Sequence, residues 1–171
     1  MTRSNILVVF YSRSGTTRNV ASALARMLNA DLEEIVDRQG RAGPFGYLRS
    51  FVEALKQRPA DIVLPKCDAS AYDLVVIGTP VWAGSVSSPV RAYLVANRAR
   101  LKRVAFFCSF GRRGEQLALA QMHALAGKSP LAECKITTRE ARHGEASQVL
   151  CDFAARVERK LSDVRRSETE R

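Results

Sequence analysis

One uninterrupted apolar run near the start of the chain, Ile6-Leu7-Val8-Val9-Phe10-Tyr11, constrains the fold more than any other feature. The run is rich in β-branched and aromatic residues and does not alternate with polar ones, which is typical of a strand buried on both faces. Such strands occur in parallel sheets that helices cover on both sides. Similar runs lie at residues 74–77 and 104–107, and weaker ones at 32–36 and 134–138.

Segments with helical periodicity separate these runs. Ser88 and Pro89 are predicted to be the N-cap and the first residue of one helix, and Gly127 to end the next one. The five apolar stripes are Val20, Leu24, Met27 and Leu28; Leu48, Phe51, Val52 and Leu55; Val90, Tyr93 and Leu94; Ala118, Met122 and Leu125; and Val149, Phe153, Val157 and Leu161. Five strands alternating with five helices predict an α/β fold with a doubly wound, five-stranded parallel sheet.

The length of 171 residues suits one domain with its own core. We assign that domain to residues 1–161 and predict that the polar residues 162–171 form a frayed or disordered tail. Gly40, Gly43 and Pro44 predict a loop at residues 37–44. No internal repeat is found.

The net charge of +10 is unevenly distributed. Residues 1–85 carry 10 basic and 8 acidic side chains, and residues 86–171 carry 17 and 9. A basic half can indicate an anionic partner or only a solvated surface, and the sequence leaves both open. No combination of aromatic and basic residues is typical of a nucleic-acid surface, so no nucleic-acid partner is expected.

Cysteine spacing and the length of the apolar runs indicate the cellular compartment in which the protein is expected. The scattered residues Cys67, Cys108, Cys134 and Cys151 form no C-x-x-C pair, so we expect neither a metal site nor a disulfide framework. No signal peptide and no transmembrane segment are recognised. A reducing, cytoplasmic location is the expectation.

The segment after the first strand, Ser12-Arg13-Ser14-Gly15-Thr16-Thr17, combines four hydroxyls with one glycine just before a helix. Free N–H groups at a helix N-terminus attract anions, hydroxyls add donors, and glycine lets the backbone curl around the group. The segment therefore predicts a phosphate site, although an ordinary capped turn would need only one of these hydroxyls. It matches neither a Walker A loop nor a dinucleotide fingerprint.

At these residues the chain resembles the flavodoxins and flavodoxin-like FMN-binding proteins, of the short-chain type. Their first loop follows [ST]-x-[ST]-G-x-[ST], which Ser12, Ser14, Gly15 and Thr17 match. Two further loops match after the third and fourth predicted strands. The resemblance implies a strand order of 2-1-3-4-5, with FMN at the carboxyl ends of the strands. The residues that it assigns to FMN are Ser12, Arg13, Ser14, Gly15, Thr16, Thr17, Thr79, Pro80, Val81, Trp82, Ala83, Gly84, Ser109, Phe110, Gly111, Arg112 and Gly114.

Within that resemblance, Trp82 stands where the family stacks an aromatic side chain on the flavin ring. The hydroxyls of the first loop would bind the FMN phosphate, and the chemistry would take place on the flavin, with no catalytic side chain. Whether the Gly46-Tyr47 stretch lines the site stays open.

The chain departs from the family's electron carriers in two respects. Those carriers are acidic, whereas this chain is basic and has Arg112 and Arg113 in its third loop. Cations near the ring favour the two-electron reduced state. Family members also reorient the peptide after the ring-stacking residue when the flavin takes one electron. That turn needs a positive φ, where Ala83 costs about 1 kcal/mol relative to glycine.

These departures favour an FMN-dependent oxidoreductase that reduces a quinone or similar acceptor with NAD(P)H. One alternative is a one-electron carrier that serves a partner reductase. Another is a binding module that has lost FMN and has no redox role. The expected partner is a small-molecule acceptor or a redox protein, and homodimerisation is left open.

Overall fold

In the part of the chain that the structure describes, five parallel strands form the central sheet in the order β2-β1-β3-β5-β6, and a short β4 pairs antiparallel with β3. The computed structural model describes residues 5–38 and 59–170. The elements are β1 Ile6–Phe10, α1 Thr16–Leu28, β2 Asp31–Glu34, β3 Leu74–Trp82, β4 Ser85–Val86, α2 Ser88–Asn97, β5 Val104–Phe110, α3 Glu115–Ala126, β6 Glu133–Thr137, α4 Thr138–His143 and α5 Ser147–Thr169, with a 3₁₀ turn at Ala69–Ala71. The order of the parallel strands confirms the predicted order 2-1-3-4-5.

The first strand is buried on both faces, as its composition predicts. Ile6, Val8 and Phe10 pack into a core that α1 and α5 cover. Leu7 and Val9 point into the opposite core, under α2 and α3. Because successive side chains of a strand alternate between faces, a continuous apolar run serves both cores at once.

The third and fifth strands are longer than their apolar runs. Gly78 and Pro80 interrupt the apolar pattern, so residues 78–82 look like a loop in the sequence. In the structure they continue β3 and pair with β5 as far as the Pro80–Ser109 position. Gly78 is required there because a Cβ at this position would lie 1.9 Å from the ring carbon Cζ of Phe107.

The start of α2 differs by one residue from the prediction. Ser87 is the N-cap, while Ser88 and Pro89 are the first two helical residues. The backbone of Ser87 is extended, with φ −63° and ψ 144°, as is usual for an N-cap residue. Its side chain makes no capping hydrogen bond. The Ser87 hydroxyl instead lies within hydrogen-bond distance of Thr79 Oγ1, at 3.1 Å, which links the start of α2 to β3.

The final segment differs from the predicted frayed or disordered tail at residues 162–171, of which the structure describes 162–170. Helix α5 continues to Thr169. Arg165 forms an ion pair with Asp73 at 2.5 Å, and Arg103 pairs with Glu168. These contacts tie the polar end of α5 to the amino-terminal edge of β3 and β5, which the composition of the segment does not reveal.

Some predictions fall outside the described residues. These are the helical stripe at Leu48, Phe51, Val52 and Leu55, the Gly46-Tyr47 stretch and most of the loop predicted at residues 37–44. Within the described residues, no helix combines the length and the apolar character that crossing a bilayer requires.

Candidate functional site

The loop between β1 and α1 places the N-terminus of α1 at the carboxyl edge of the sheet. Gly15 is the N-cap of α1 with φ 89°, and it provides no side chain to the first turn. The N–H groups of that turn are therefore not capped by a side chain, and they carry the positive end of the helix dipole. The Gly15 N–H itself donates to Ser12 Oγ at 3.0 Å, so the Ser12 hydroxyl stabilises the loop from inside.

Hydroxyl groups from the β1–α1 loop, the first turn of α1 and the end of β5 meet beside this helix start. Thr17 Oγ1 lies 2.8 Å from Ser109 Oγ at the end of β5, and both residues are buried. Ser14 Oγ lies 3.4 Å from Thr16 Oγ1. The first and third predicted loops are thereby joined by a direct contact between their side chains.

Trp82, at the end of β3, contacts two residues of the segment between β1 and α1. Its ring meets that of Tyr11 edge to face, with the centroids 5.5 Å apart. The Arg13 guanidinium carbon lies 5.9 Å from the centroid of the indole ring, within the range of a cation–π contact. Trp82 therefore forms an aromatic wall that the β1–α1 loop holds from one side.

A two-residue turn follows Trp82 and connects β3 to β4. Ala83 and Gly84 both have positive φ, 48° and 73°, and the strand pairs Val81–Val86 and Trp82–Ser85 flank them. Positive φ at both central residues is the geometry of a type I′ hairpin. Ala83 thus occupies the left-handed region that its position in the turn predicts.

This turn allows a paired test of backbone strain. Ala83→Gly should stabilise the FMN-free protein by up to about 1 kcal/mol, because glycine removes the left-handed penalty. Gly84→Ala should destabilise it by about 1–2 kcal/mol, because it introduces the same penalty. Urea unfolding would measure both changes. Equal effects of the two substitutions would contradict the turn geometry.

The three loops enclose a cleft of about 140 Å³. Its lining consists of Arg13, Ser14, Thr16, Thr17, Pro80, Val81, Trp82, Ser109, Phe110, Gly111 and Thr138. Ten of these eleven residues belong to the set that the sequence resemblance assigns to FMN. Among the described residues, the cleft lining contains no carboxylate and one cation, Arg13.

Other residues of the assigned set lie around the cleft rather than on its wall. Five of them belong to the backbone turns of the three loops, namely Ser12, Gly15, Ala83, Gly84 and Gly114. Thr79 is fully buried, where its hydroxyl donates to the Pro80 carbonyl and accepts from the Ser87 N–H at 3.1 Å. Arg112 is exposed and does not line the cleft, and neither does its neighbour Arg113.

Comparison with known proteins identifies the family. The model of the flavodoxin family matches residues 5–149, which is most of the chain. The chain belongs to the flavodoxin family. The search of curated proteins gives no match.

Solved structures show the same flavodoxin fold at low identity. A flavoprotein from Lactobacillus acidophilus, solved in complex with FMN, is 21% identical with a TM-score of 0.69, covering 82% of this chain and 97% of that one. Oxidised flavodoxin 2 from Bacillus cereus is 17% identical with a TM-score of 0.58, covering 92% and 99%. An apo NADH:FMN oxidoreductase is 16% identical with a TM-score of 0.55, covering 94% and 90%.

Thr138 is the cleft residue of this flavodoxin that the sequence reasoning missed. It begins α4, and its hydroxyl donates to the Phe110 carbonyl at 3.1 Å. A capping box between Thr137 and Glu140 fixes this helix start. The signal was available, since Thr138 directly follows β6, whose carboxyl end meets the same edge of the sheet as β5.

No cysteine is among the described residues that line the cleft, so none supplies a nucleophile there. All four are free, and Cys108 and Cys134 are buried in the strands, as their apolar surroundings predict. Burial raises the pKa of the Cys108 thiol to about 12 and that of Cys134 to about 11. Both thiols therefore stay protonated at neutral pH and act as small apolar side chains.

Proposed function

We propose that this member of the flavodoxin family binds FMN and transfers hydride from NAD(P)H to a quinone or a similar small acceptor. The observation that carries the proposal is the composition of the cleft. It places a hydroxyl-rich helix start opposite an aromatic wall, and its described lining is free of carboxylates.

The phosphate end of FMN fits the helix start of α1. A phosphate is recognised by several converging donors, and the first-turn N–H groups of α1, Ser14, Thr16 and Thr17 provide them. Arg13 adds a positive charge to the same wall. The absence of a carboxylate among the described lining residues removes the repulsion that would oppose a dianion.

The ring end of FMN fits the wall formed by Trp82, Pro80, Val81 and Phe110. A flat aromatic ring packs on such surfaces through dispersion and stacking. The cleft is smaller than the roughly 300 Å³ typical of a whole small-molecule site. It would enclose part of the cofactor, with the remainder against exposed residues such as Ala83 and Gly111.

FMN would supply the redox chemistry, and this chain's residues would set its environment. Arg13, whose guanidinium carbon lies 5.9 Å from the centroid of the Trp82 ring, would favour negative charge on a bound flavin. The hydride donor is proposed by analogy with the structurally similar NADH:FMN oxidoreductase.

The second candidate function, a one-electron carrier, is opposed by Ala83. Rotating the Ala83–Gly84 peptide changes ψ at Ala83 while its φ stays positive. Positive φ with extended ψ is populated almost only by glycine. The side chain therefore opposes the peptide rotation that the family resemblance associates with the one-electron state.

The purified protein should be yellow and should oxidise NADH or NADPH when a quinone is added, without another protein. Absorbance of the nicotinamide would follow turnover with quinones, azo dyes and ferric acceptors. Bound FMN without turnover would favour the carrier. A colourless protein that cannot be loaded with FMN would favour the binding module instead.

Anaerobic photoreduction separates one-electron from two-electron behaviour. The wild-type protein should pass to the fully reduced flavin with little of the blue one-electron-reduced form. Ala83→Gly should accumulate several-fold more of that form, because glycine adopts positive φ with extended ψ without the additional strain that alanine carries there. High yield of the blue form in the wild type would refute the two-electron assignment.

A further inference from the structure

Arg91 on α2 is buried almost completely, with 6% of its surface exposed. Its Nη2 donates to Gln121 Oε1 at 3.0 Å and to Ser85 Oγ at 3.3 Å. Its Nε is buried and has no hydrogen-bond partner. The guanidinium is therefore held in place by neutral groups that leave part of its donor capacity unused.

No acidic group offsets this charge within residues 5–38 and 59–170, where Arg91 takes part in no ion pair. Burial lowers the pKa of Arg91, and no carboxylate of the described residues raises it again. Gln121 Oε1 also accepts from Ser85 Oγ at 2.6 Å and from the Val86 N–H, so its lone pairs are fully used. A guanidinium stays protonated in proteins, so a buried one without a counter-charge is costly unless an anion compensates it.

Arg91 lines a groove of about 300 Å³ between α2 and α3. The other lining residues are Val95, Arg98, Gln121, Ala124 and Leu125. Arg98 adds a second guanidinium, which lies over the Cα of Gly127. A Cβ at Gly127 would come within 2.5 Å of Arg98 Nη2, so the missing side chain makes room for that group. Among the described residues, the lining thus combines two cations with apolar walls and contains no acid.

We propose that this groove binds a small organic acid, with its carboxylate on Arg91 and Arg98 and an apolar body against Val95 and Leu125. Guanidinium groups pair well with planar carboxylates. The apolar walls favour an acid with a hydrocarbon part over inorganic phosphate, which would have to lose its hydration against them. The volume lies at the lower end of the range of small-ligand sites. The groove is separate from the cleft, with which it shares no lining residue.

Benzoate is a suitable probe, titrated into the protein as purified at constant ionic strength and followed by amide NMR. Signals of Val95 and Ala124 should shift and saturate. Arg98→Ala should weaken binding about tenfold or more, the loss expected for one hydrogen bond to a charged group. Arg100→Ala is the matched control, because it removes another exposed arginine, two residues away, that does not line the groove. Its affinity for benzoate should equal that of the wild type.

Arg91→Met provides a second variant, with its fold checked by circular dichroism. If it folds, it should abolish the benzoate-induced shifts at Val95. Three results would overturn the proposal: no saturable shift with benzoate at tens of millimolar, equal weakening by Arg98→Ala and Arg100→Ala, or shifts confined to Ser14 and Trp82 in the cleft. Phosphate binding as tightly as benzoate would overturn the preference for an organic acid.

Discussion

Replacing Ser14 and Thr17 together by alanine should weaken FMN binding by at least tenfold. Both residues line the cleft beside the start of α1. Each hydrogen bond to a charged phosphate contributes roughly 1.5–3 kcal/mol, and each 1.4 kcal/mol is about a factor of ten in affinity. Fluorescence titration of the apoprotein with FMN would measure the dissociation constant.

Two control variants separate phosphate binding from local stability. Thr17→Ser keeps the hydroxyl that lies 2.8 Å from Ser109 Oγ and should retain most of the affinity. Ser22→Ala removes a hydroxyl from the same helix but at a position that lines a different cavity, and it should have no effect. If the double variant binds FMN as tightly as the wild type, the phosphate lies elsewhere.

The sequence predicts the local structure of this part of the candidate site because its signals are local. A strand, a hydroxyl-rich loop and a helix follow one another within residues 6–28, so their spatial relation depends on chain connectivity alone. The order of the parallel strands then brings the ends of β3 and β5 to the same edge. The Thr17–Ser109 contact shows that two loops 92 residues apart meet as this topology requires.

Side-chain direction and tertiary charge contacts could not be predicted in the same way. Arg112 follows directly after the cleft residue Gly111, yet it is exposed, because position along a loop does not determine where a long side chain points. Arg91 does not belong to the apolar stripe predicted for its helix, yet it is buried against Ser85 and Gln121. The ion pair of Arg165 with Asp73 likewise joins residues 92 positions apart. Burial and pairing of this kind depend on the assembled fold.

A second large effect is expected at Gly114, where the third loop touches the β3–β4 turn. Gly114 has φ 99°, and a Cβ there would lie 2.3 Å from Gly84 Cα and 3.2 Å from Val81 Cγ1. The nearest obstacle is backbone, which cannot move aside as a flexible side chain can. Gly114→Ala should therefore destabilise the FMN-free protein by at least about 2 kcal/mol, from the left-handed strain together with the clash.

Gly111→Ala is the matched control for that measurement. Gly111 lies in the same loop, but a Cβ there would meet no atom within 4 Å, and its φ is outside the left-handed region. Its unfolding free energy should change by less than about 1 kcal/mol. Gly114→Ala should also weaken FMN binding, because separating the loop from the turn displaces Val81 and Trp82 on the cleft wall. Similar urea midpoints for the two variants would mean that the loop and the turn are not in contact.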